Sequence, residues 1–132
     1  MTKEGYTSNE RIKEESDFLR GNISDLLHDG SITHFPSEEE FLLKFHGITQ
    51  QDNRDERLIR KKNGQERNWL FMLRLRLPGG RMTPSQWLAA ETLSDQFGNG
   101  TLKLTTRQAI QIHGVVKQDL KQTMKDIHHA AI

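Results

Sequence analysis

Two short stretches of the 132-residue chain put basic and hydrogen-bonding side chains on alternate positions. They are Trp69 to Gly80, reading WLFMLRLRLPGG, and Thr101 to Gly114, reading TLKLTTRQAIQIHG. Side chains alternate sides along a β-strand, so parity sorts each stretch into two faces. In the second, Lys103, Thr105, Arg107, Gln111 and His113 share one face, and Leu102, Leu104, Ile110 and Ile112 share the other. In the first, Arg74 and Arg76 oppose Phe71, Leu73, Leu75 and Leu77. A strand facing water needs only generic polar residues outside, in any order. For either strand alone, solvated basic residues on a half-buried sheet are the simpler reading; two cationic rows on one surface point instead to anion binding. A guanidinium donates two parallel hydrogen bonds to a carboxylate or oxyanion and keeps its charge. At an effective dielectric of about 20, one such contact at roughly 4 Å is worth about 4 kcal/mol before desolvation.

The element between the rows decides whether they share a surface. Thr83 suits a helix N-cap, Pro84 its first position, Gln86 completes a Thr-x-x-Gln capping box, and Gly98 stops the helix. Trp87, Ala90, Leu93 and Phe97 recur at helical spacing and are expected to cover the leucine and isoleucine side. Strand, helix and strand form a βαβ unit, and a right-handed crossover makes the two strands parallel in one sheet. Both cationic rows then face the open side. After them, Asp119 starts a helix with Leu120, Met124 and Ile127 on one face.

Upstream, the chain is poorer in core. Hydrophobic residues are 33% and mean hydropathy is -0.76, against roughly 45–50% apolar residues (Gly included) in ordinary domains. Residues 1–8 are polar and are expected to be mobile. Thr7 and Glu10 form a capping box for a helix to about Arg20, closed by Gly21, and a short amphipathic piece spans Ile23 to Leu27. Gly30 and Pro36 break the next stretch, so residues up to there read as an arm. Phe41, Leu43 and Phe45 alternate as a strand would, with Ser37 and Glu40 offering the competing helical reading. Gly47 to Asn68 is almost wholly charged or amide-bearing, which on composition is a solvated loop. The division expected is an arm and polar strap over residues 1–68 and a compact unit over 69–132.

Composition also excludes classes of function. Nineteen basic and eighteen acidic residues leave a net charge of +1, so no global field argues for nucleic acid or a membrane surface. There is no cysteine, hence no thiolate ligand, nucleophile or disulfide. The six histidines form no ligand constellation; His128 and His129 are adjacent and point about 100° apart on a helix. No apolar run is long enough to span a bilayer and no leader pattern opens the chain, so a cytoplasmic location is expected.

RLRLPGG followed by LTTRQ and QIHG resembles the amino-terminal ferredoxin-like half of the sirohaem-dependent nitrite and sulfite reductases. FHGITQQDNRD, Phe45 to Asp55, resembles the segment preceding the first strand in the sulfite reductase branch. Three motifs in order, from about Glu10 to the end, carry the likeness. It implies an α+β fold, a ferredoxin-like half-domain (βαβα) with an irregular, partly helical N-terminal arm. By resemblance Arg74 reaches the substrate anion at the distal face of sirohaem. Lys103 and Arg107 match contacts to the cofactor carboxylates, lysine standing where many relatives have arginine and losing the bidentate fork. Gln111 and His113 match the amide and imidazole beside the macrocycle. Arg76 divides evenly between a functional and a structural role, and Gln51, Asn53 and Arg54 resemble a strap near the cofactor.

His113 before Gly114, where nitrite reductases usually carry arginine, favours the sulfite branch. The resemblance then implies assimilatory reduction of sulfite to sulfide, feeding cysteine biosynthesis. Electrons come from a flavoprotein using NADPH, or from a ferredoxin, through a four-iron four-sulfur cluster joined to sirohaem by a cysteine. Without cysteine, the cluster ligands are expected in a missing carboxy-terminal half and this chain alone is expected to be inactive. A nitrite reductase fragment is the alternative within the family; outside it stand a non-catalytic anion-binding module and a single-stranded RNA-binding sheet. The last needs outward aromatic residues for base stacking, which, His113 apart, neither strand supplies.

Overall fold

The computed structural model describes residues 5–132. A four-stranded sheet in the order β1-β2-β4-β3 is built from β1 (Ile48–Asp52), β2 (Trp69–Leu75), β3 (Leu102–Leu104) and β4 (Ile110–Val115). All three pairings are antiparallel. The expected parallel βαβ pairing is therefore corrected. Residues 101–114 are a hairpin, turned at Thr105–Ala109, and β4 inserts between β2 and β3. Thr105 closes that turn, its carbonyl accepting from the Gln108 N–H and its hydroxyl from the Ala109 N–H. The α+β, ferredoxin-like class stands.

One face of the sheet is covered by α5 (Pro84–Phe97) and α6 (Lys117–His129). The capping box forms as read: the Thr83 hydroxyl accepts from the Gln86 N–H and the Gln86 side chain from the Thr83 N–H. Ala90 and Leu93 bury against Leu73, Leu75, Ile110 and Ile112. Trp87 does not join them; it stays 42% exposed, and on α6 Thr123 is buried where Met124 was expected. Gly98 ends α5 with a close approach: a Cβ there would lie 2.8 Å from the His113 carbonyl oxygen and 2.8 Å from Ile112 Cγ2.

The residues before Trp69 add α1 (Ser8–Glu14), α2 (Ile23–His28), α3 (Ser37–Leu43), β1 and α4 (Arg54–Lys62). Residues 1–4 and the mobility expected of them lie outside the described residues. α1 stops well before Arg20, because Asp17, Phe18 and Leu19 take the left-handed conformation. Phe41 to Phe45 is helical, not extended, and a 3-10 turn over Lys44–His46 follows it. The polar stretch after Gly47 is no loop: β1 pairs with β2 and α4 is capped by Asn53. Gln50 explains how so polar a strand is buried. Its side chain accepts from the Phe35 N–H at 2.6 Å and donates to the Phe35 carbonyl at 3.1 Å. Phe35, Leu43 and Ile48 thereby join one core with the later strands.

Candidate anion site on the open face

Register places the outward side chains. Arg74 on β2 pairs with Gln111 on β4, which pairs with Lys103 on β3, so the three stand in one row across adjacent strands. With strands about 4.8 Å apart, the row spans about 10 Å of backbone. Between Phe71↔Val115 and Leu73↔Ile112, β4 carries one extra residue, a bulge at His113–Gly114 with Gly114 at φ 84°. The bulge lets Val115 return to the core while His113 stays on the open side beside Gln111.

The His113 ring donates from Nε2 to Gln111 Oε1 at 2.9 Å. With its oxygen occupied, Gln111 is left with its NH2 group to donate, so the row offers donors: the Arg74 guanidinium, the Gln111 amide and the Lys103 ammonium. Burial first, then Lys103, holds the His113 imidazole below its ordinary pKa, so it is neutral beside these cations. Arg74 gives the sharpest signal. Its Nε is buried with no hydrogen-bond partner. A desolvated, unpaired guanidinium nitrogen costs free energy unless an acceptor meets it.

Arg74 also leads into a groove of about 520 Å³ at the end of β2, lined by the cations Lys44, Arg74, Arg76 and Arg107 with His46 beside them. Arg107 reaches it from the β3–β4 turn and Arg76 from just beyond β2. Gly47, at φ 77°, brings its carbonyl to the Arg74 N–H at 2.8 Å, and a Cβ there would stand 3.2 Å from the Arg74 carbonyl oxygen. An apolar hollow of about 370 Å³ between α2, α3 and α6 lies on the covered side, away from this row.

The upstream candidates divide. Gln51 is exposed on the open face of β1, opposite Leu70. Asn53 spends its side-chain oxygen on the Asp55 N–H as the α4 cap, and Arg54 is the exposed first residue of α4. Lys44 and His46 were missed by sequence reasoning, because the strand reading of Phe41–Phe45 gave them no common surface with Arg74. Among the described residues no group of three or more His, Cys, Asp or Glu side chains could hold a metal ion. Among the same residues no helix is long and apolar enough to cross a membrane.

Comparison with known proteins gives the chain its kin. The chain is 56% identical over 124 residues to sulfite reductase [NADPH] subunit beta of Saccharomyces cerevisiae, covering 92% of this chain and 8% of that protein. It is 47% identical over 123 residues to the sulfite reductase [NADPH] hemoprotein beta-component of Bacillus subtilis, covering 93% and 22%. To that of Staphylococcus epidermidis it is 50% identical over 126 residues, covering 93% and 22%. It thus spans at most about a fifth of these relatives. The fold matches the Mycobacterium tuberculosis NirA protein with a TM-score of 0.71 at 15% identity, over 94% of this chain and 24% of that one. Residues 63–130 match the nitrite/sulfite reductase ferredoxin-like half domain, and the chain belongs to that family.

Proposed function

We propose that this chain is the amino-terminal part of an assimilatory sulfite reductase, with residues 69–132 as the half-domain proper and the preceding residues as an arm and strap whose β1 joins the same sheet. The identity to sulfite reductase beta components over nine-tenths of the chain supports sulfite over nitrite as substrate. The observation that carries the site is the buried, unpartnered Arg74 Nε in a row of donors.

The residues fit a polycarboxylate tetrapyrrole. Arg107 and Lys103, both exposed, would hold its carboxylates, Gln111 and His113 would offer it an amide and an imidazole, and Arg76 lines the groove margin. Sirohaem, when bound, supplies the iron centre at which the sulfur oxyanion is reduced. Arg74 orients that oxyanion and opposes the charge that grows on its oxygens, an interaction stronger at the transition state than in the ground state. His113, held neutral, orients Gln111 as a donor. Gln51 and Arg54 form the outer margin and Asn53 fixes the start of α4. A four-iron four-sulfur cluster does not fit this chain, which has no cysteine. Its ligands belong to a carboxy-terminal half, and this chain alone is inactive. Electrons reach the intact protein from a flavoprotein carrying NADPH-derived electrons or from a ferredoxin, and the reaction is cytoplasmic.

Substitution in the intact protein separates the roles. Arg74→Ala is expected to keep the tetrapyrrole absorbance and to lower sulfite turnover by roughly 10²- to 10³-fold, as removal of one oxyanion donor does. Arg107→Ala is expected to lower cofactor occupancy instead. Unchanged turnover in Arg74→Ala would remove the role drawn for it, and a colourless parent protein from cells that make sirohaem would remove the cofactor.

A further inference from the structure

The arm holds a strained turn with no glycine in it. Asp17, Phe18 and Leu19 lie in succession at φ 52°, 58° and 67°, a region that L residues with a Cβ enter singly and at a cost. Burial does not compensate, since Phe18 is 89% exposed. Hydrogen bonds do. The buried Ser16 hydroxyl donates to the Lys13 carbonyl and accepts from the Leu19 N–H at 2.9 Å, and the Gly21 N–H donates to the Ser16 carbonyl at 2.7 Å.

One further bond comes from elsewhere in the chain. His46 donates from Nε2 to the Leu19 carbonyl at 2.9 Å, across 27 residues. A carbonyl only accepts, so this fixes the proton on Nε2 and leaves Nδ1 as the ring nitrogen available to the groove that His46 lines with Lys44, Arg74, Arg76 and Arg107. We infer that His46 is a positioning residue that couples occupancy of the cationic groove to the left-handed turn at Asp17–Leu19, an inference that rests on the groove being an anion site. An oxyanion or carboxylate held by the four neighbouring cations restrains the groove margin and with it the His46 ring. The restrained ring keeps its Nε2–H on the Leu19 carbonyl, so filling the groove steadies the turn. In return, the turn holds the ring against the groove margin. Strain stored in the arm is thereby tied to the filling of the site.

Hydrogen exchange on the cofactor-free form of the intact protein tests this, with inorganic sulfate as the probe. The readout is the peptide covering residues 16–21, which contains the Leu19, Arg20 and Gly21 amides. Saturating sulfate is expected to slow its exchange roughly threefold or more in the wild type, because a ligand bound to one state deepens that state. His46→Phe should abolish the response, and His46→Gln, whose amide donates from a similar place, should restore it. If sulfate binds and the peptide does not respond, or if His46→Phe responds like the wild type, the coupling is wrong and the anion site stands. If sulfate does not bind the wild type at all, the anion site falls and the coupling with it. Should His46→Phe not fold, the wild type with and without sulfate and His46→Gln still decide.

Discussion

The two faces of the sheet use the same strands for opposite ends. On the covered face, Leu73, Leu75, Ile110 and Ile112 are closed over by α5 and α6, and each needs only to be apolar and of the right volume. On the open face, the partners of those residues along the same strands are Arg74, Gln111 and His113, and there the atom matters: a bonded oxygen leaves an amide to donate and one guanidinium nitrogen is left without an acceptor. The contrast separates the side that makes the fold from the side proposed to meet an anion.

The largest expected effect attacks the covered face. Leu73→Ala removes a side chain that is 1% exposed at the centre of the core, and should cost about 2–5 kcal/mol in denaturant unfolding of the chain. Gln111→Ala, one strand away on the open face, should change stability by less than about 1 kcal/mol. Equal losses at both positions would erase the distinction between the faces.

Next comes the seam where α5 meets the bulged strand. Gly98→Ala puts a methyl group 2.8 Å from the His113 carbonyl oxygen and from Ile112 Cγ2. Since neither a backbone oxygen nor a packed isoleucine can move aside freely, about 1–3 kcal/mol of destabilisation is expected. Gly30→Ala, where no atom lies within 4 Å of the added Cβ, serves as the control. A thermal midpoint for Gly98→Ala matching that of Gly30→Ala would show that the seam yields.

What was legible in the sequence follows from where each signal is stored. The covered face declares itself through alternating Leu and Ile, and α5 through Thr83, Pro84 and Gln86, because those features are local. The open row of Arg74, Lys103, Gln111 and His113 was found by parity even though the single strand assumed for it is a hairpin. Lys103 and Gln111 are register partners, so folding the stretch back leaves both on the same side. The hairpin itself was hidden because its turn uses Gln108 at φ 56°, with no Asn-Gly or Asp-Gly to announce it. β1 was hidden for another reason: Gln50 is buried by its bonds to Phe35, fifteen residues earlier, and composition cannot report a distant partner. The turn at Asp17–Leu19 has the same character, held by Ser16 and His46 where glycine would be expected. Non-local hydrogen bonds account for most of what sequence reading missed.

The smallest expected effect tests the open face by pH. Burial, with Lys103 behind it, holds His113 below its ordinary value of 6.5, so the unfolded chain binds this proton more readily than the folded one. Stability from this group is therefore fully present above about pH 6.5 and is lost as pH falls through that value toward the lower folded one. Denaturant midpoints of the wild type should decline on mild acidification. His113→Gln, which cannot titrate, should show a shallower decline over the same window. An anion held against Lys103 and Arg74 would raise the His113 pKa by offsetting the cations beside it, so added sulfate should flatten the wild-type decline toward that of the variant. If His113→Gln declines as steeply as the wild type, the imidazole is not the group that feels the open face. The donor row would then have to be assigned without its help in orienting Gln111.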